Sequence, residues 1–296
     1  MQAAEPAGAR VLYAGDVVLL GETRFAPEDA RFGRESAAEV WPNIALPRLP
    51  VGIRAADARP VLGDANTALL FLVGRPYRRI SIGGRGTWTE WIEVRPDVLE
   101  EILAAYDAAG SPARPSPFRT GCAPAPQAAY LAHRRMRAGL GKGEAPDPLG
   151  LEEAALAIAC AVLAAGFDRQ GVRPKTARDA ERQGRDLVFM VQALLNRDLA
   201  RPLRLSEVAA AAGLSPYHLC RVFRRRTGLP IHRYRDSLRV RASLERVLDG
   251  DARLIDIAYD LGYANEAHFS DAFRRRFGMR PSAFRRRSRC RLASHG

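Results

Sequence analysis

Two clusters of guanidinium groups, about 50 residues apart, are the part of this sequence best suited to chemistry. Arg221, Arg224 and Arg225 follow Tyr217 and Cys220; Arg274 and Arg275 follow Asn265, Glu266, Ala267, His268, Ser270 and Asp271. Behind the first cluster Leu219, Val222 and Phe223 recur at i, i+3 and i+4, and behind the second Phe269, Ala272 and Phe273 do the same. That period predicts two helices, each apolar on one side and polar on the other. A guanidinium fork matches guanine O6 and N7, and it matches phosphate oxygens equally well. A helix that is apolar behind and rich in arginine in front is what a major-groove reader requires. The bland alternative is a solvated cationic face, and the same arrangement appearing twice weighs against it.

The elements that would position these groups form an internal repeat. One copy is LSEVAAAAGLSPYHLCRVFRRRTGLP from Leu205, and the other is IDIAYDLGYANEAHFSDAFRRRFGMRP from Ile255. Val208, Ala209 and Gly213 match Ile257, Ala258 and Gly262 at an offset of 49; Leu219, Phe223 and Gly228 match Phe269, Phe273 and Gly278 at 50. The extra residue falls in the turn, where insertion is tolerated. Each copy reads as helix, glycine turn, helix, with Ser206 and Ser215 as expected N-caps in the first. A connecting helix is expected over about Ile231–Leu248. Arg226, beside Val222 and Phe223, is expected nearer the inward edge than Arg221.

Charge follows the same division. The net charge of +13 is concentrated after residue 180: Glu181 to Gly296 holds 24 Lys+Arg against 12 Asp+Glu, and the remainder holds 22 against 21. A basic block joined to a neutral one is the footprint of a nucleic-acid binder with a separate second function; an anionic membrane surface is the competing partner. The 27% charged and 47% apolar residues exclude wholesale disorder and supply two ordinary cores. No secretory signal is visible at the start. The longest apolar run, Leu151 to Gly166, carries Glu152 and Glu153 and is shorter than the ~20 residues a spanning helix needs. Cys122, Cys160, Cys220 and Cys290 are far apart, which fits reduced thiols in the cytoplasm.

Before Pro96 the chain reads as short strands, with YRRISI and TWTEWIEV forming an expected hairpin about Gly83 to Gly86. After Pro96 it reads as helices. The fold class is therefore α+β followed by an all-α block, with domains at 1–179 and 180–296.

Catalytic and cofactor chemistry finds little support. His133 is the one histidine in the first 180 residues and is expected on a helix surface, so a His-and-carboxylate metal centre is disfavoured. Gly83 to Gly86 lacks the third glycine of a dinucleotide fingerprint, and the stretch around Lys142 lacks the hydroxyl residue of a P-loop. No metal, cofactor or catalytic residue is expected. Phe71, Trp41, Tyr77, Trp88 and Trp91 could line a small-molecule pocket, though core packing explains them as well. Cys122 reads as an ordinary thiol.

The C-terminal block resembles the AraC/XylS family of transcription regulators. The resemblance rests on Ile257-Ala258, Gly262-Tyr263, His268-Phe269-Ser270, Ala272-Phe273-Arg274-Arg275, Phe277-Gly278, Pro281-Ser282 and Phe284-Arg285. LSEVAAAAGLSPYHLCRVFRRRTG adds to it, with Tyr234, Leu238-Arg239 and Ala242 of the connecting helix. It covers about Arg185 to Arg287. It implies a bilobed domain of two helix-turn-helix units reading successive major-groove segments of double-stranded promoter or operator DNA. By position it implies Tyr217, Cys220 and Arg221 as base-contacting in one copy, and Glu266, Ala267, His268, Ser270 and Asp271 in the other. Asp271 departs from the basic or neutral residue that relatives often carry there, so the first copy is expected to read more tightly. The resemblance also implies a cupin-like β-barrel upstream for sensing or dimerisation, hence a small-molecule effector, a homodimer and contact with RNA polymerase, in the cytoplasm and away from membrane. The cysteine alkyltransferase found beside this unit in some relatives is excluded, because only Cys122 and Cys160 lie upstream. Two other readings stay open: an architectural DNA-binding protein without a ligand, and a ligand-binding or enzymatic domain with a nonspecific nucleic-acid-binding tail.

Overall fold

The computed structural model describes residues 8–37, 41–55, 60–84, 86–106, 116–140, 147–172, 183–249 and 252–293. Its contacts fall into two units. The first comprises Met1–Lys142, Ala154–Arg178 and Ser215–Tyr217; the second comprises Gly143–Glu153, Asp179–Leu214 and His218–Gly296. The expected boundary between residues 179 and 180 lies outside the described residues.

The first unit contains strands β1 (Gly8–Ala14), β2 (Val18–Phe25), β3 (Glu35–Ser36), β4 (Asn43–Pro47), β5 (Val51–Ala55), β6 (Val61–Gly63), β7 (Thr67–Phe71), β8 (Tyr77–Ser81), β9 (Thr87–Val94) and β10 (Cys122–Pro124). They form one sheet in the order β1-β2-β9-β4-β7-β10 and a second in the order β3-β8-β5-β6, with every pairing antiparallel. Among the described residues this is two facing sheets, and the pairing closes no barrel.

The expected hairpin between YRRISI and TWTEWIEV is not formed. β8 pairs with β3 and β5, whereas β9 pairs with β2 and β4. The reason lies in β9, which is buried at every position except Trp88. A strand buried on both faces needs neighbours on both edges, and β2 supplies one along its whole length, from Val18↔Val94 to Phe25↔Thr87. The glycines before β9 therefore carry the chain from one sheet to the other; Arg85 among them lies outside the described residues.

Helices α1 (Pro96–Ala104), α2 (Gln127–Leu140) and most of α3 (Pro148–Arg169) complete this unit. α3 is long and apolar enough to cross a membrane by length and composition, beyond the expected limit, yet 61% of its most apolar stretch is buried inside the protein. α2 is held to the large sheet by ions. The fully buried Glu90 carboxylate accepts from Arg134 Nη1 at 2.9 Å and from Arg137 Nε at 3.0 Å, and Arg137 Nη2 also donates to Glu22 at 3.0 Å. Paired and hydrogen-bonded in this way, a buried carboxylate is tolerated; removing one partner would leave an uncompensated charge.

His133 lies in the same cluster, 1% exposed, with Nδ1 3.7 Å from Glu90. This corrects the expected surface placement: Ala129, His133 and Met136 form the inward face of α2. Burial pushes the imidazole down to about 4 from 6.5, against the pull of Glu90 and aided by Arg134 and Arg137. A base depressed in the folded state binds its proton more readily when unfolded, so stability falls as pH drops from 6.5 toward 4. Thermal melts across this range should show wild type losing stability on acidification more steeply than His133→Gln. Parallel curves would refute a neutral buried His133.

Candidate nucleic-acid interface

The second unit is helical: α4 (Gln183–Arg197), α5 (Leu205–Ala211), α6 (Pro216–Thr227), α7 (Ile231–Asp249), α8 (Leu254–Asp260), α9 (Glu266–Phe277) and α10 (Pro281–Ala293), joined by the first residues of α3. α5–α6 and α8–α9 are the two repeats, and α7 is the connecting helix at nearly its expected length. Leu219, Val222 and Phe223 of α6 are buried, as are Phe269, Ala272 and Phe273 of α9. The second lobe closes over Val240, Val247, Ile257 and Leu261, while Phe223 meets Tyr234 of α7 edge-on at 5.4 Å.

The polar faces emerge much as the helical period requires. Arg224, Arg225 and Arg226 are exposed on α6, and Arg274, Arg275 and Arg276 on α9. Arg226, expected nearer the inward edge, is thus as exposed as its neighbours, while Arg221 is half-buried. Cys220 is half-buried. Tyr217 is half-buried and groups with the first unit rather than with the rest of α6.

On α9, Glu266, Ala267 and His268 are exposed, and Ser270 and Asp271 are half-buried. Asp271 lies 3.8 Å from Arg274 one turn on, which offsets part of its repulsion toward phosphate. Asn265 Oδ1 accepts from the His268 backbone N–H at 2.8 Å, so this side chain caps α9. His268 and Arg275 open together onto a groove of about 700 Å³ that Arg233 and Asp236 of α7 also line.

Several positioning groups escaped the sequence reading. Arg239 Nε donates to the Leu199 carbonyl at 2.7 Å, and buried Arg235 donates to the carbonyls of Leu199 and Arg201. Arg239 also sits over the Tyr263 ring, whose hydroxyl donates to Asp236 at 3.0 Å. Gly262, at φ 75°, completes this junction: a Cβ there would lie 2.4 Å from the Ala200 carbonyl oxygen. Burial lowers the Arg235 guanidinium to about 10, with Arg239 adding to the effect; the carbonyl oxygens take its Nη2, while Nε and Nη1 are buried without a hydrogen-bond partner.

Helix caps are likewise supplied from a distance. Ser206 falls inside α5 rather than at its cap; Glu207 reaches back to the Arg204 N–H at 2.8 Å, and Glu152 accepts the Leu205 N–H at 2.9 Å. Glu153 accepts from the N–H groups of Ile231 and His232 at 2.8 and 3.0 Å, and pairs with His232 Nδ1 at 2.7 Å. Two adjacent carboxylates thus satisfy the open N-termini of α5 and α7.

Two glycine-turned helix pairs on one connecting helix, each with an exposed arginine row, define a double helix-turn-helix protein. A family model described as a helix-turn-helix domain matches residues 208–287. The chain is 33% identical over 95 residues to regulatory protein SoxS of Escherichia coli (strain K12), covering 32% of this chain and 89% of SoxS. It is 36% identical over 118 residues to the HTH-type transcriptional regulator GlxA of Rhizobium meliloti (strain 1021), covering 39% of this chain and 36% of GlxA. The match thus spans little more than a third of that longer relative. The solved DNA-binding domain of AdpA, a global transcriptional factor in complex with a target DNA, is 26% identical; the match covers 36% of this chain and 94% of that one, with a TM-score of 0.33. The chain belongs to the AraC/XylS family of transcription regulators.

Glu153 gives a test of this assembly. Glu153→Ala leaves two N–H groups of α7 without an acceptor and should cost about 1–3 kcal/mol. Glu153→Gln, which keeps one acceptor oxygen, should cost less. Urea denaturation of both variants checks this, and an Ala variant as stable as wild type would remove Glu153 from the account.

Proposed function

We propose that this protein is a sequence-specific DNA-binding transcription regulator, with α6 and α9 entering successive major-groove segments. The observation that carries this reading is the pair of exposed arginine rows, Arg224–Arg226 and Arg274–Arg276, set on equivalent helices of the repeat. Within each row the solvent side supplies phosphate contacts. Arg221 in the first copy, with His268 and Ser270 in the second, is assigned to the base edges. Asn265 is assigned to capping first and DNA second.

DNA recognition is assigned to residues 180–296, supported by Glu152 and Glu153 as caps. The first unit is assigned a sensing role of cupin-like kind, supported by two antiparallel sheets facing a shared cavity. A small-molecule effector, homodimerisation through this unit, contact with RNA polymerase and a cytoplasmic location complete the proposal, with no catalytic residue assigned. The burial of most of α3's apolar stretch supports the location. The architectural alternative lacks a use for that cavity.

Salt dependence tests the interface. With about five to nine phosphate contacts, log K against log salt should fall with a slope of roughly −4 to −8, at about −0.9 per contact. Filter binding or anisotropy over a salt series measures it. A slope near zero would contradict the assigned arginine face.

A further inference from the structure

We propose that the cavity between the two sheets of the first unit binds a small organic anion: a carboxylate on a flat apolar body, with a hydrogen-bond donor at its other end. This deepens the sensing role assigned above and rests on it for its regulatory meaning only.

The cavity holds about 320 Å³ and is lined from both sheets. Its walls combine an aromatic set, Phe25, Phe71, Tyr77 and Trp91, with polar side chains that include Arg31, Arg79, Asn43 and Glu93. Trp91 is fixed there by two devices. Its Nε1 donates to Thr23 Oγ1 at 3.1 Å, and its ring lies over Gly21, where a Cβ would come within 2.1 Å of it. A concave space in which aromatic rings and convergent polar groups face one another is a form that small-molecule sites take.

Arg79 sets the charge of the ligand. Its guanidinium stands 4.9 Å from the Tyr77 ring and 5.0 Å from the Phe25 ring, and it donates to Tyr77 Oη at 2.7 Å and Ser36 Oγ at 3.1 Å. Both acceptors are neutral. Among the described residues no carboxylate lies within ion-pair distance of it; the nearby Asp29 is held by Arg31 through two hydrogen bonds, at 2.8 and 2.5 Å. A guanidinium kept off bulk water beside aromatic rings, with a fork matched to a carboxylate, lacks only the anion. Burial lowers its pKa, as expected for a desolvated cation awaiting a counter-ion.

Asn43 sets the other end. The Tyr77 ring lies 4.3 Å from Phe71, tilted by 35°, and Phe71 is the register partner of Asn43; Asn43 and Arg79 line the cavity from different sheets. Asn43 Nδ2 donates to Glu93 at 3.4 Å, while its Oδ1 is buried with no partner. A buried acceptor left open is costly, and a donor on the ligand would satisfy it.

Calorimetric titration of the full chain with three probes tests this. Indole-3-acetate carries both features, indole-3-acetamide lacks the charge, and naphthalene-1-acetate lacks the N–H. Indole-3-acetate should bind at least about tenfold tighter than the amide and about threefold tighter than the naphthyl acid. Arg79→Gln should abolish the preference for acid over amide. If that variant fails to fold, Ala45→Leu keeps Arg79, fills the cavity and should abolish binding of all three. Equal affinity for acid and amide, no binding of any probe at millimolar concentration, or full binding by Ala45→Leu would overturn the proposal. DNA affinity measured with and without indole-3-acetate separates the two claims. A bound probe that leaves DNA affinity unchanged upholds the ligand class and removes the sensing role.

Discussion

The second unit depends on one carbonyl region, Leu199 to Arg201, taking guanidinium donors from α7. Arg235 and Arg239 lie one turn apart on α7 and both reach it, so the connecting helix is fixed to the loop before α5. Arg239 continues to Tyr263, and Gly262 lets the turn before α9 approach Ala200. The two helix-turn-helix copies therefore meet at a hydrogen-bonded junction as well as through apolar packing. For two recognition helices to read one duplex, their separation must hold to within a fraction of a base-pair step. Short charge-assisted bonds to backbone supply directionality that apolar burial cannot.

The remaining anchors follow the same pattern of charged side chains serving backbone groups. Glu152 and Glu153 close the N-termini of α5 and α7, and Arg285 donates to the carbonyls of Val247 and Ala252 where α7 ends. Arg246 pairs with Asp260 at 2.7 Å, joining α7 to α8. The arginine excess of this half thus has two roles: one set is exposed on α6 and α9, and another is turned inward to hold those helices. Counting charge from the sequence merges the two.

How much was legible follows from that distinction. The repeat, both recognition helices and their buried faces were readable, because a 3.6-residue period with glycine turns is a local property. The expected hairpin failed because pairing is non-local: half of TWTEWIEV is Thr or Glu, so neither its burial on both faces nor its partners can be read from the segment itself. His133 was misplaced because the carboxylate beside it, Glu90, comes from a strand distant in sequence. Arg239 enters the sequence reading only as part of the family resemblance, and Arg235 gives no signal beyond sharing a helix face with Ile231; the backbone carbonyls both reach lie more than 30 residues away. Glu152 and Glu153 stood out only as charges opening an apolar helix, and their role depends on loops 50 to 80 residues further on.

The central claim is that two recognition helices, held by one connecting helix, read one duplex together. Selection of bound sequences from a random DNA library by the full chain tests this most directly. The account predicts a bipartite motif with two conserved segments about one helical turn apart, roughly 10 base pairs. Arg221→Ala should blur one segment and Arg275→Ala should weaken the other. A single contiguous motif untouched by either substitution, or no sequence preference at all, would contradict it.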